Sequence, residues 1–192
     1  MKHKAVFVGE SGVGKTSILN SLANVNNPTD VLSTIAFQSI TLKKEMGNGE
    51  QALLIWDTAG QEQFRSLVDN YFRDSCIVFV VFSCTDMQSL SNVKFWTNKA
   101  WETSNLSSIV IIENKIDLLE TQNCISDEIV KSELKGIKYN HFVKVSAQSS
   151  EGIDDLRDVA FSLLDPNSPN INPINPIPNN KNQCCYLILF LR

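Results

Sequence analysis

The chain has 192 residues, 43% apolar and 20% charged, which is enough for one domain with its own hydrophobic core. Its 17 lysines and arginines against 21 aspartates and glutamates leave a net charge of -4, so nucleic-acid binding has no electrostatic basis. The apolar run Ala5–Val8 is too short for a signal peptide, and no run reaches the roughly 20 apolar residues of a membrane-spanning helix.

In chain order, Ala5–Val8 predicts a short strand that ends in a glycine-rich turn, followed by a helix from Lys15 to about Leu22. Ile35–Lys44 and Gln51–Trp56 flank Gly47-Asn48-Gly49 and predict a hairpin. A helix is expected over Gln63–Phe72. The nearly unbroken apolar run Cys76–Phe82 fits a parallel strand buried on both faces. Helix Ser89–Trp101, strand Ser108–Ile112, helix Ser126–Leu134, strand His141–Val145 and helix Gly152–Leu164 follow. Alternation of this kind predicts a three-layer α/β/α sandwich, with a mostly parallel six-stranded sheet and one antiparallel edge strand.

Composition changes after Leu164. Residues 165–183 hold five of the six prolines and are rich in asparagine, which predicts a disordered linker between a domain over residues 1–164 and a tail over residues 184–192. The scattered Cys76, Cys84 and Cys124 read as free thiols of a reducing compartment. The adjacent Cys184 and Cys185, beyond the expected domain, suggest lipid acceptors.

Gly9-Glu10-Ser11-Gly12-Val13-Gly14-Lys15-Thr16 matches G-x-x-x-x-G-K-[ST] between a predicted strand and a predicted helix, the setting of a P-loop NTPase. Its backbone N–H groups can wrap phosphate oxygens, Lys15 can bridge the β- and γ-phosphates, and the Thr16 hydroxyl can hold Mg²⁺. Asn114-Lys115-Ile116-Asp117 follows a buried strand. A carboxylate there can accept both hydrogen bonds of guanine N1–H and its 2-amino group, which adenine cannot supply, so the nucleotide is GTP or GDP. Asp57 closes an apolar strand and can serve Mg²⁺; Gly60 can offer its N–H to the γ-phosphate, and Gln61 can orient the attacking water. The backbone of Ser146-Ala147-Gln148 can contact guanine O6.

Together these segments resemble the Ras superfamily of GTPases over about residues 4–164. Trp56-Asp57-Thr58-Ala59-Gly60-Gln61-Glu62-Gln63-Phe64-Arg65-Ser66-Leu67, Tyr71-Phe72-Arg73 and the loop Gly9-Glu10-Ser11-Gly12 are similar to the Rab branch. The resemblance implies a slow GTPase switch in vesicle or endomembrane traffic, served by an exchange factor, a GTPase-activating protein and effectors. Ser17 joins the nucleotide-binding residues, and Thr34 becomes the first-switch ligand of Mg²⁺ and γ-phosphate. Trp56 and Tyr71 fit either an exposed effector patch or half-core aromatics. The chain is expected to be a monomer, cytoplasmic and peripheral on endomembranes. A Ras- or Rho-like signalling role, a nucleotide-loaded scaffold that does not cycle, and a P-loop ATPase are the rival readings.

The sequence also departs from that family. Ala36 stands where glycine is usual, Asn27 where a guanine-stacking aromatic often sits, Glu113 where glycine usually precedes the guanine motif, and Gln148 in place of lysine. Loss of the stack at Asn27 predicts weaker nucleotide binding or faster release. Seven residues, six of them apolar, follow Cys185, whereas Rab proteins end at or near their doubly prenylated cysteines. Processing could expose the cysteines, they could be acylated in place, or the apolar tail could insert at the membrane surface unaided.

Overall fold

The computed structural model describes residues 2–24, 39–47, 49–57, 72–104, 107–120 and 123–165. The strands are β1 (Lys2–Val8), β2 (Ser39–Met46), β3 (Gly49–Asp57), β4 (Ile77–Ser83), β5 (Ser108–Asn114) and β6 (His141–Lys144). They form one sheet in the order β2-β3-β1-β4-β5-β6. All neighbours run parallel except β2 with β3, a hairpin whose register closes at Met46 opposite Gly49. This is the expected six-stranded sheet with one antiparallel edge strand.

The helices are α1 (Lys15–Asn24), α2 (Met87–Ser91), α3 (Val93–Thr103), α4 (Asp127–Glu133) and α5 (Ile153–Ser162), with a 3-10 turn at Ile116–Leu118. Alternation along each strand divides the core into two layers. Ala5, Phe7, Ile77, Phe79 and Val81 face one side, where Ile18 and Leu22 of α1 pack with Leu156 and Phe161 of α5. Val6, Val8, Val78, Val80 and Phe82 face the other, against Leu90, Trp96 and Val130 of α2, α3 and α4. Every residue of β4 is therefore buried, and Phe7 stacks on Phe79 with ring centroids 4.9 Å apart. Truncating such a phenylalanine to alanine costs about 3–5 kcal/mol.

One predicted helix is two. The span Ser89–Trp101 divides at Asn92, and the first piece starts earlier because Asp86 caps it, Oδ1 accepting from the N–H groups of Gln88 and Ser89. The helix expected at Gln63–Phe72 lies outside the described residues except for Phe72, which is buried. β1 lies between β3 and β4: the chain runs from β1 to β2 and β3 on one side of it and then crosses to β4 on the other. The carboxyl end of β1 is thus the point where open α/β sheets bind ligands.

Candidate nucleotide-binding site

The phosphate loop starts where β1 stops. Gly9 (φ 137°) lies so close to β4 that a Cβ would sit 2.2 Å from the Val81 carbonyl oxygen, and Gly14 (φ 97°) makes the turn into α1. Lys15 is 4% exposed, and its Nζ donates to the carbonyls of Gly9 at 2.9 Å and Glu10 at 2.8 Å. The ammonium is thereby held at the mouth of the loop, where a phosphate oxygen can replace a carbonyl as its acceptor. Trp96 of α3 steadies the rim, its Nε1 donating to Glu10 Oε1 at 3.3 Å. Ser11, Gly12 and Ser17 are exposed, and Val13 is buried.

Behind the lysine, Thr16 Oγ1 donates to Asp57 Oδ2 at 2.5 Å. Asp57 stands at the end of β3 in register with Phe7 of β1, so neighbouring strands bring the hydroxyl and carboxylate together. Two hard oxygen ligands at the lip of a phosphate loop fit Mg²⁺, which takes few protein ligands alongside substrate phosphates.

The base-reading half gathers around Asn114, 1% exposed at the end of β5. Its Nδ2 donates to the Val13 carbonyl at 2.8 Å and its Oδ1 accepts the Ala147 N–H at 3.2 Å. Lys115 takes a left-handed conformation (φ 69°), which turns the chain into the 3-10 turn that carries Asp117. Asp117 Oδ1 accepts from Ser146 Oγ at 2.6 Å, and Ser146 Oγ accepts the Ser149 N–H at 3.0 Å. The carboxylate is exposed, so a base edge arriving from solvent could reach it. A cavity of about 230 Å³ joins these parts, bordered by Gly14 and Ser17 on one side and by Asn114, Lys115, Asp117, Ala147 and Gln148 on the other. Leu118 also lines it, a residue the sequence reading did not assign.

Glu113, beside Asn114, is fully buried, and its Oε2 lies 3.1 Å from Lys144 Nζ, which reaches Asp127 Oδ1 at 2.6 Å. Burial pushes the Glu113 carboxyl upward against the pull of Lys144. Burial alone would lower the Lys144 ammonium, but the two carboxylates outweigh it and the net shift is upward. Trp56 is half-buried. Asn27, Thr34, Ala36, Gly60, Gln61, Tyr71, Cys184 and Cys185 lie outside the described residues.

A chain that gathers these loops at the carboxyl edge of a mostly parallel sheet is a P-loop protein built to hold a guanine nucleotide. The sequence model of the Ras family matches residues 4–163. The chain is 32% identical to the Ras-related protein Rab-18 of Lymnaea stagnalis over 97% of its own length and 95% of that protein's. It is 30% identical to the Ras-related protein Rab-8B of Dictyostelium discoideum, covering 95% of this chain and 92% of that one. The GTP-binding protein YPTM2 of Zea mays is 29% identical over 95% of each. The chain belongs to the Ras family and is of the Rab type: a GTP-binding switch that hydrolyses GTP and regulates vesicle traffic. The Ras- or Rho-like, scaffold and ATPase readings are not favoured. Exchange factors, activating proteins and effectors come with the family in general terms. Among the described residues no helix is long and apolar enough to cross a membrane.

Proposed function

We propose that the switch is timed by four groups of this chain acting on one γ-phosphate. Lys15 carries charge to the β- and γ-phosphates, Thr34 and Gly60 each gain a contact only while the γ-phosphate is present, and Gln61 orients the attacking water. Thr16, Thr34 and Asp57 would hold Mg²⁺, which when bound neutralises charge on the phosphate oxygens. Asn114 and Asp117 select guanine, with Ser146, Ala147 and Gln148 beside the base. The observation that supports this most is the single side chain of Asn114, which bonds the phosphate loop and the Ser146–Gln148 loop at once. Among the described residues no arginine lines the nucleotide cavity, so intrinsic turnover is slow and a partner supplies the missing charge. Gln61→Leu tests the assignment by single-turnover GTP hydrolysis: turnover should drop with GTP binding intact, and unchanged hydrolysis would refute the water-positioning role.

On this reading residues 1–164 are the GTPase domain, 165–183 the linker and 184–192 the membrane-attaching tail, and the chain acts as a monomer on the cytosolic face of endomembranes. Lipidation of Cys184 and Cys185 would anchor it stably through two chains. Deletion of residues 184–192 should release a tagged protein from membranes; retention there would refute the tail's role.

A further inference from the structure

Two thiols border the guanine side of the site and take no part in nucleotide chemistry. Cys84 follows β4 and is fully buried; Cys124 is half-buried in the segment that enters α4. Their Sγ atoms are 3.4 Å apart. The backbone fixes the pair: the Ile125 N–H donates to the Cys84 carbonyl at 2.8 Å, and the Cys84 N–H donates to the Asn114 carbonyl at 3.0 Å. The Cys84 thiol also donates to the Lys115 carbonyl at 3.0 Å, so the pair rests on the main chain of the base-reading segment.

We propose that Cys84 and Cys124 are a modification site: hydrogen peroxide converts them to a reversible disulfide that loosens the hold on guanine nucleotide. The order of events follows from access. Cys124 is the thiol solvent reaches, whereas Cys84 is buried and held protonated, its pKa pushed up to about 12 by burial, then by the Cys124 thiol, and then by the Glu113 and Asp117 carboxylates. Cys124 loses its proton and its sulfur attacks one peroxide oxygen. An S–O bond forms, the O–O bond breaks, and the departing hydroxide takes the proton away as water. The sulfur has lost two electrons and the peroxide has gained them. Cys84 Sγ then attacks the sulfenic sulfur; the S–S bond forms, the S–O bond breaks, and the hydroxide leaves as a second water with the Cys84 proton. Two thiols and one peroxide give one disulfide and two waters, and a dithiol reverses the change by exchange.

The consequence for the site follows from the lost proton. Once Cys84 has no S–H, the Lys115 carbonyl loses one of its two donors and keeps the Leu118 N–H at 3.0 Å, in a residue already held in the left-handed region. A hydrogen bond lost at the turn that carries Asp117 should raise the GDP release rate about two- to tenfold.

The test uses the full-length GDP-loaded protein, oxidised with stoichiometric hydrogen peroxide, digested without reduction and mapped by mass spectrometry. The expected product joins Cys84 to Cys124, is two hydrogens lighter than the thiol pair, and disappears with dithiothreitol together with the faster GDP release. Cys84→Ser keeps a hydroxyl donor for Lys115, so its release before peroxide should match the parent; after peroxide, Cys124 should stop at a dimedone-trappable sulfenic acid and release should not change. Cys124→Ser, at the more exposed position, should likewise lose the response. A Cys84 left free while Cys124 is over-oxidised or bonded to another cysteine would overturn the disulfide. A clean Cys84–Cys124 bond with unaltered GDP release would overturn its coupling to the nucleotide.

Discussion

Asn114 Nδ2 donates to the Val13 carbonyl oxygen at 2.8 Å, which ties the segment proposed to read a base to the loop proposed to cradle phosphate. The same side chain accepts the Ala147 N–H, so three separate turns share one buried amide. The proposed base-reading motif is therefore also a structural brace, joining the Val13 loop to the Ala147 loop.

Asn114→Asp separates these roles. The carboxylate can still accept from Ala147 but cannot donate to Val13, and two acceptors then face each other where the protein is 1% exposed. The loss should cost about 1–3 kcal/mol at each group left unsatisfied. GDP affinity should fall at least about tenfold and the melting temperature should drop. A variant that retains GDP as the parent does would show that the brace carries no binding energy.

Gly14→Ala strikes the same brace from the other side. A Cβ at residue 14 would sit 2.3 Å from Asn114 Nδ2, and the φ of 97° is already unfavourable for an L side chain. Gly12→Ala is the control, since a Cβ there meets nothing within 4 Å and only its φ of 76° is strained. Gly14→Ala should abolish detectable GDP binding, while Gly12→Ala should lose about 1–2 kcal/mol of stability and remain loaded. Equal loading of both variants in a nucleotide-retention assay would refute the clash.

What the sequence disclosed follows the range of the interactions. The all-apolar β4 and the strand–loop–helix around Gly9–Thr16 are local patterns, readable because period and turn chemistry act within a few residues. The early start of α2 is written in Asp86, a good N-cap residue, whereas the break at Asn92 carries no side-chain cap to mark it. Glu113 stood out only as a departure from glycine. Its partner comes from the β5–β6 register, which sets Glu113 beside Lys144, and register between strands separated by a helix is not written locally. The Cys84–Cys124 contact was hidden for the same reason.

Lys144→Met and Glu113→Gln should not add. Removing Lys144 leaves a fully buried carboxylate without its cation, which should cost about 3–5 kcal/mol, whereas Glu113→Gln removes the charge itself and should be nearly neutral. The double variant should recover most of the loss. The pH dependence has a fixed sign. The Glu113 carboxyl lies above its ordinary value when folded, so ionising it costs stability, and that cost disappears as pH falls through the folded value toward the unfolded one near 4.5. Without Lys144 the folded value rises further. Denaturant melts of Lys144→Met should show it closer to the parent at pH 5 than at pH 7.5, and a gap that widens on acidification would contradict the assignment.

Asp57→Asn tests whether the oxygen pair at the loop serves a cation or only the fold. The amide oxygen can still accept from Thr16 Oγ1, so the 2.5 Å contact survives in kind and stability should change by less than about 1 kcal/mol. The negative charge is gone, and with it the feature that suits a hard divalent ion. In the parent, chelating Mg²⁺ with EDTA should speed GDP release by a coupling factor in the range of about 5–150-fold. In Asp57→Asn the release should already be fast and should respond little to EDTA. If the variant keeps the parent's full response, Asp57 does not couple the cation to the nucleotide, and its contact with Thr16 is structural.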